Sequence, residues 1–289
     1  MTIDLDAAAD FMTTHARMLD RRRFDHVLGR GDVDATLAAV DAYRNPDGGY
    51  GRGLEPDLRA KESQPGGALH AMEVFAEIGS ATTPHAQQLC DWLDSATLPD
   101  GGLPFALPIA EPAGCAPFWV DADPSASSLQ ITSVIAAHAH RVAAHDPAVA
   151  EHPWLRRATE FSLQACRSVD DHTHAIELAF AVQFVSTVHD AYPEAPEILA
   201  HLGSFVPADG IKHVAGGAAD EVMRALDFAP EPGPARGLFA SGVIDTELQR
   251  LADQQREDGG WEVDFGSFSP AAALEWRGYA TVRAVRSLQ

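Results

Sequence analysis

The sequence predicts an all-α chain, and within that class an (α/α)6 toroid, from three observations. Apolar residues recur at helical spacing, with no alternating Val/Ile/Thr-rich run to suggest a strand. The tripeptide Asp-Gly-Gly returns at Asp47, Asp100 and Asp258, the first two 53 residues apart and the third a further 158 along, close to three times that period. Polar-faced helices alternate with Ala-rich apolar ones between these turns.

In chain order, a helix is expected over residues 4 to 20, then ATLAAVDAY (35 to 43) and the turn NPDGGYG. An apolar helix, GALHAMEVFAEIG (67 to 79), follows Pro65, because Pro is tolerated in the first helical turn and fixes φ there. A polar-faced partner, AQQLCDWLDSA (86 to 96), leads to the turn LPDGGLP. Pro124 then announces the apolar helix SLQITSVIAAHAHRVAA (128 to 144), partnered by HPWLRRATEFSLQAC (152 to 166). Degenerate turns at Asp170/Asp171 and Asp209/Gly210 bracket THAIELAFAVQFVSTVHDAY (173 to 192) and PEILAHLGSFV (196 to 206). The last units are ADEVMRALDF (219 to 228), DTELQRLADQQ (245 to 255), the turn REDGGWE, and AAALEWRGYATVRAVRSL (271 to 288) after Pro270. In each turn Asp can bond its own backbone while Gly supplies positive φ beyond a helix end. About five hairpins plus the N-terminal helix make eleven or so helices in a single domain, 1–289; an open solenoid of the same hairpins is the competing arrangement.

Composition narrows the function. The 289 residues carry 42 Asp+Glu against 21 Lys+Arg, a formal charge of −21, and are 46% apolar. Such a chain can bury a core, and its charge repels phosphate backbones and anionic membrane surfaces. Neither nucleic acid nor a membrane span is expected, and a small molecule is the expected partner. Cys90, Cys115 and Cys166, an odd number without CxxC spacing, read as free thiols of a reducing cytoplasm rather than a disulfide framework or zinc site. No metal is assigned.

The segments QREDGGWEVDFGSFSPAAALEW (255 to 276), NPDGGYGRGLEPDLRAKESQP (45 to 65) and LPDGGLPFALP (98 to 108) resemble the repeats shared by squalene and other class II terpene cyclases and the β subunits of protein prenyltransferases. The resemblance spans roughly residues 40 to 289 and implies an α/α toroid whose inner helices enclose a cavity. It further implies an isoprenoid or other small apolar substrate. The acid motif of class II cyclases, Asp-x-Asp-Asp-Thr-Ala, is approached by WVDADPSASS: Asp121 and Asp123 match the first two acids, and Pro124 replaces the third. On that resemblance Asp123 is the proton donor and Asp121 its support. On the residues alone, Asp123 before Pro124 is equally an N-cap. No cofactor is implied, and Mg²⁺ enters only if the substrate is a diphosphate.

Other candidates come from charge and aromaticity. The loop GLEPDLRAKESQP (53 to 65) is densely charged: Glu55 and Asp57 are candidate acid/base groups and Arg59 an anion clamp, unless the loop is simply solvated. His70, Glu177 and Glu275 are polar groups on apolar helices, and Trp119 and Trp276 are aromatics outside the turn slot. Two further readings stand beside the cyclase. One is a carbohydrate-active toroid using two carboxylates drawn from Glu55, Asp57, Asp123 and Asp264. The other is a non-catalytic binding or interaction barrel.

Overall fold

The computed structural model describes residues 2–289. Helices dominate it: α1 (Leu5–His15), α2 (Met18–Val27), α3 (Val33–Asp41), α4 (Pro65–Glu77), α5 (Pro84–Ala96), α6 (Pro117–Val120), α7 (Leu129–Ala143), α8 (Pro147–Ala150), α9 (Pro153–Cys166), α10 (Ala175–Val188), α11 (Ala195–Gly203), α12 (Ala225–Phe228), α13 (Val243–Asp253) and α14 (Pro270–Leu288). Eleven of these have nine residues or more. The chain is all-α, as the periodicity predicts, and no helix among the described residues is long and apolar enough to cross a membrane.

Three expectations need correction. The N-terminal helix is two, because Ala16 leaves helical geometry with ψ 156 and Arg17 follows at ψ 154. The segment 219 to 228 is not one helix: Val222–Met223 pairs antiparallel with Lys212–His213, and only Ala225–Phe228 is helical. Pro124 does not open α7; residues 124 to 127 form a turn, and Ser128 caps the helix by accepting from the Ile131 amide.

All five repeat turns share one bond, in which an Asp Oδ1 accepts from the amide two residues on: Asp47 from Gly49, Asp100 from Gly102, Asp170 from His172, Asp209 from Ile211 and Asp258 from Gly260, at 3.0 to 3.1 Å. The degenerate turns therefore keep the chemistry without the full tripeptide. Where the tripeptide is intact, its first glycine takes φ of 89 to 95°, which a side chain resists. Two turns are also tied forward to the next apolar helix, by Ser63 to Asp47 at 2.7 Å and Ser127 to Asp100 at 2.6 Å.

Packing passes from α4 to α7, from α7 to α10, and on through α12 and α13 to α14, which rests against α1 and α2. The Arg23 guanidinium then joins α2 to α4 by pairing with Glu73 at 2.9 Å and Glu77 at 2.7 Å. The helices α5, α9 and α11 flank α4, α7 and α10. The main core centres on residues such as Met72, Ile135, Val182 and Phe184. A separate cluster, including Phe11, Met12, Phe24, Trp261, Val282 and Val285, joins α1 and α2 to the last turn and α14. Cys90, Cys115 and Cys166 are free, and burial pushes the thiols of Cys90 and Cys166 up to about 12.

Candidate functional site

A cavity of about 2330 Å³ is walled by residues of α4, α7, α10 and α14 and by the segments leading into them. Its chemistry begins in the loop before α4. Gly51 and Arg52 turn the chain so that the Leu54 amide bonds the Gly51 carbonyl and the Arg52 amide bonds that of Ala60. Arg17 donates to the carbonyls of Gly53 and Leu54, and Arg59 pairs with Glu275 at 2.7 Å. Pinned from both sides, the loop is buried rather than solvated: Glu55 is 6% exposed and Asp57 3%.

Asp57 gathers segments from the far end of the sequence. Its Oδ1 accepts from the Phe268 amide at 2.9 Å and its Oδ2 from the Trp276 indole N–H at 2.7 Å. Glu55, two residues earlier, has one carboxylate oxygen, Oε2, sealed from solvent with no hydrogen-bond partner. Burial, reinforced by the negative charge of Asp57, lifts its pKa to about 8, against the opposing Asp57 amide, Arg17 and Arg59. Glu55 therefore carries a proton at neutral pH, on the wall of a cavity. That is the condition required of a general acid.

Aromatic rings frame this pair. Trp119 stacks on Phe105 at 4.5 Å between centroids, and its rim lies so close to Gly66 that a Cβ there would be 3.1 Å away. Phe118 meets Phe268 edge-on at 5.6 Å, and Phe265 meets Trp276 at 5.1 Å. Farther along the wall the lining turns polar. His70 lies 3.3 Å from Glu73, Tyr279 donates to Glu73 at 3.0 Å, and burial depresses His138 to about 3. Beyond them Arg286 bridges Glu77 and Glu231, and Arg283 pairs with Asp227.

Of the residues singled out in the sequence, Glu55, Asp57, His70, Trp119 and Trp276 meet on the cavity wall, and Asp264 lies on it in the exposed strap before α14. Arg59 and Glu275 stand behind it as each other's ion-pair partners. Asp121 and Asp123 do not join them. Both are exposed and outside the cavity lining, and Asp123 accepts from the hydroxyl and amide of Ser125 at 2.6 and 2.8 Å. Those bonds hold the Asp123 carboxyl below its ordinary pKa, the reverse of what a proton donor requires. Its role is the turn before α7, and neither Asp123 as donor nor Asp121 as its support fits that position. Glu177 is also off the wall; burial raises its pKa, while the Gln130 amide at the start of α7 bonds its carboxylate.

Arg23, Glu77, His138 and Tyr279 were not legible as site residues. The α-helical spacing of Tyr279 from Glu275 and Trp276 was the available signal, since all three fall on one face of α14. No model of a known protein family and no curated protein matches the chain.

Proposed function

We propose that the chain is an (α/α)6 toroid whose central cavity performs general acid chemistry on a hydroxyl-rich small molecule of the carbohydrate class, with Glu55 as the proton donor. The toroid is supported by the succession of packed helices that comes back from α14 through α2 to α4, and by the five turns of one chemistry. The observation that carries the activity is Glu55 itself. It is buried on the cavity wall, protonated at neutral pH, and set beside an Asp57 whose two oxygens are fixed by Phe268 and Trp276. The substrate class follows from the lining. Ionised and neutral polar groups such as Glu73, His138, Arg283 and Arg286 suit hydroxyls and offer a hydrocarbon little. Trp119 and Trp276 add apolar ring surface to the same wall.

The aromatic rings near Glu55 favour one other reading, the cyclase-like one suggested by the repeat resemblance, with Glu55 instead of Asp123 as its acid. One experiment separates the two. Wild-type protein and the Glu55→Gln variant are incubated with a panel of α- and β-linked oligosaccharides, and in parallel with geranyl, farnesyl and geranylgeranyl diphosphates with and without Mg²⁺. Products are read by mass spectrometry. The expected result is glycoside hydrolysis by the wild type, lower by about 100-fold or more in Glu55→Gln. Cyclised isoprenoids made only by the wild type would replace the substrate class and keep the acid. Binding without turnover of any substrate would make the chain a non-catalytic binding barrel.

A further inference from the structure

A general acid needs a counterpart that accepts a proton, and Asp57 is engaged in holding two segments. The structure offers another group on the same wall. His70 and Glu73 lie at i and i+3 on α4, so their side chains meet, His70 Nδ1 being 3.3 Å from Glu73 Oε2. Glu73 is fixed in turn: its Oε1 accepts from the Tyr279 hydroxyl at 3.0 Å and pairs with the Arg23 guanidinium at 2.9 Å. The imidazole plane is set by two rings packed on it at steep angles, Tyr279 at 5.4 Å and Trp276 at 5.9 Å. His70 Nε2 has no hydrogen-bond partner among the described residues, yet it is not among the sealed, unpartnered atoms as His138 Nδ1 is. His70 lines the cavity, and Nε2 is its ring nitrogen left without a partner.

We propose that His70 is a catalytic base acting through Nε2 on the same cavity as Glu55, and that Glu73 is the positioning residue that fixes its tautomer. Burial works against a charge on Glu73, but Arg23 and His70 outweigh it and hold the carboxyl well below its usual range. An ionised carboxylate only accepts, so the proton of a neutral imidazole sits on Nδ1 and the lone pair on Nε2. The other groups facing His70 are Trp276 and Tyr279 of α14, Arg23 of α2 behind Glu73, and His138 of α7.

The assignment rests on the reading of Glu55 as acid, and it completes the reaction. His70 Nε2 takes a proton from a water whose oxygen forms the new bond to the acetal carbon. The bond to the departing oxygen breaks with its electron pair, and Glu55 gives that oxygen its proton. One water is consumed, and solvent returns a proton to Glu55 and removes one from His70.

The first test needs no substrate. In ¹⁵N-histidine-labelled wild-type protein at pH 8, with His70 identified by its contacts to the Trp276 and Tyr279 rings, the Nδ1–H tautomer is expected. An Nε2–H tautomer overturns the proposal. In Glu73→Gln that bias should be lost, and its persistence overturns the role of Glu73. The second test uses the substrate that the wild type hydrolyses. His70→Gln should lose about 100-fold or more in kcat with KM changed only a few-fold. Loss in Glu55→Gln with full activity in His70→Gln overturns the base and leaves the acid standing; the opposite pattern overturns the acid and leaves His70.

Discussion

Both oxygens of Asp57 hold backbone and indole N–H groups from more than 200 residues away, and Glu55, raised chiefly by burial and then by the charge of Asp57, holds its proton beside them. Linkage gives the consequence. Glu55 has a folded pKa of about 8, above the usual carboxylate value, so between roughly pH 4.5 and 8 the folded chain binds the extra proton. Glu55 therefore lowers stability progressively as pH rises through that window. Glu55→Gln should match the wild type near pH 4.5 and exceed it by a few kcal/mol above pH 8, read by urea denaturation at several pH values. His138 has the opposite sign. Its folded pKa of about 3 lies below the unfolded one, so it costs stability as pH falls below about 6.5. Asp57→Asn removes the charge that helps raise Glu55, so the alkaline limb of the rate–pH profile should move to lower pH. At this scale the sequence showed the charged loop and its two acids. It did not show burial, which depends on Arg17, Phe268 and Trp276 arriving from elsewhere. That is also why Asp123 looked as eligible as Glu55: the two differ in tertiary surroundings, not in type.

Elements were easier to read than residues because their signals are local. Helical periodicity located α3, α4, α5, α7, α9, α10, α11, α13 and α14 to within a few residues, and the turn chemistry marked their joints. The failures are equally local in cause. Pro124 is compatible with a first helical turn, but Asp123 and Ser125 close a competing turn there, and Ser128 supplies the cap four residues later. In 219 to 228 the helical spacing lost to a short hairpin pairing Lys212 with Met223. The second glycine of the repeat turn tests why the motif persists. A Cβ on Gly102 would sit 2.5 Å from that of Ser127 and 2.7 Å from the Phe161 ring, pressing the turn off the segment before α7 and off α9. Gly102→Ala should destabilise by about 1–3 kcal/mol, visible as a lowered Tm.

Across the whole molecule, two apolar clusters divide the chain. The larger runs through α4, α7 and α10, and the smaller one is a seam between α1, α2 and the last turn with α14. Gln255 strengthens the seam by bonding the amide and carbonyl of Asp4 at 2.8 and 2.7 Å. A small, independent cluster should open more readily than the main core, so native-state hydrogen exchange should show α1, α13 and α14 exchanging as one unit before α4, α7 and α10. Phe11→Ala should cost about 3–5 kcal/mol and widen that gap.

The anchors of Asp57 also impose an order in time. A ribosome delivers Glu55 and Asp57 more than 200 residues before Phe268 and Trp276, and until those arrive the Asp57 carboxyl is not pinned. The nascent loop is then ordinary wet chain, with Glu55 ionised like any exposed glutamate. The raised pKa of Glu55 is thus a late acquisition of biosynthesis, complete only when the segment leading into α14 docks.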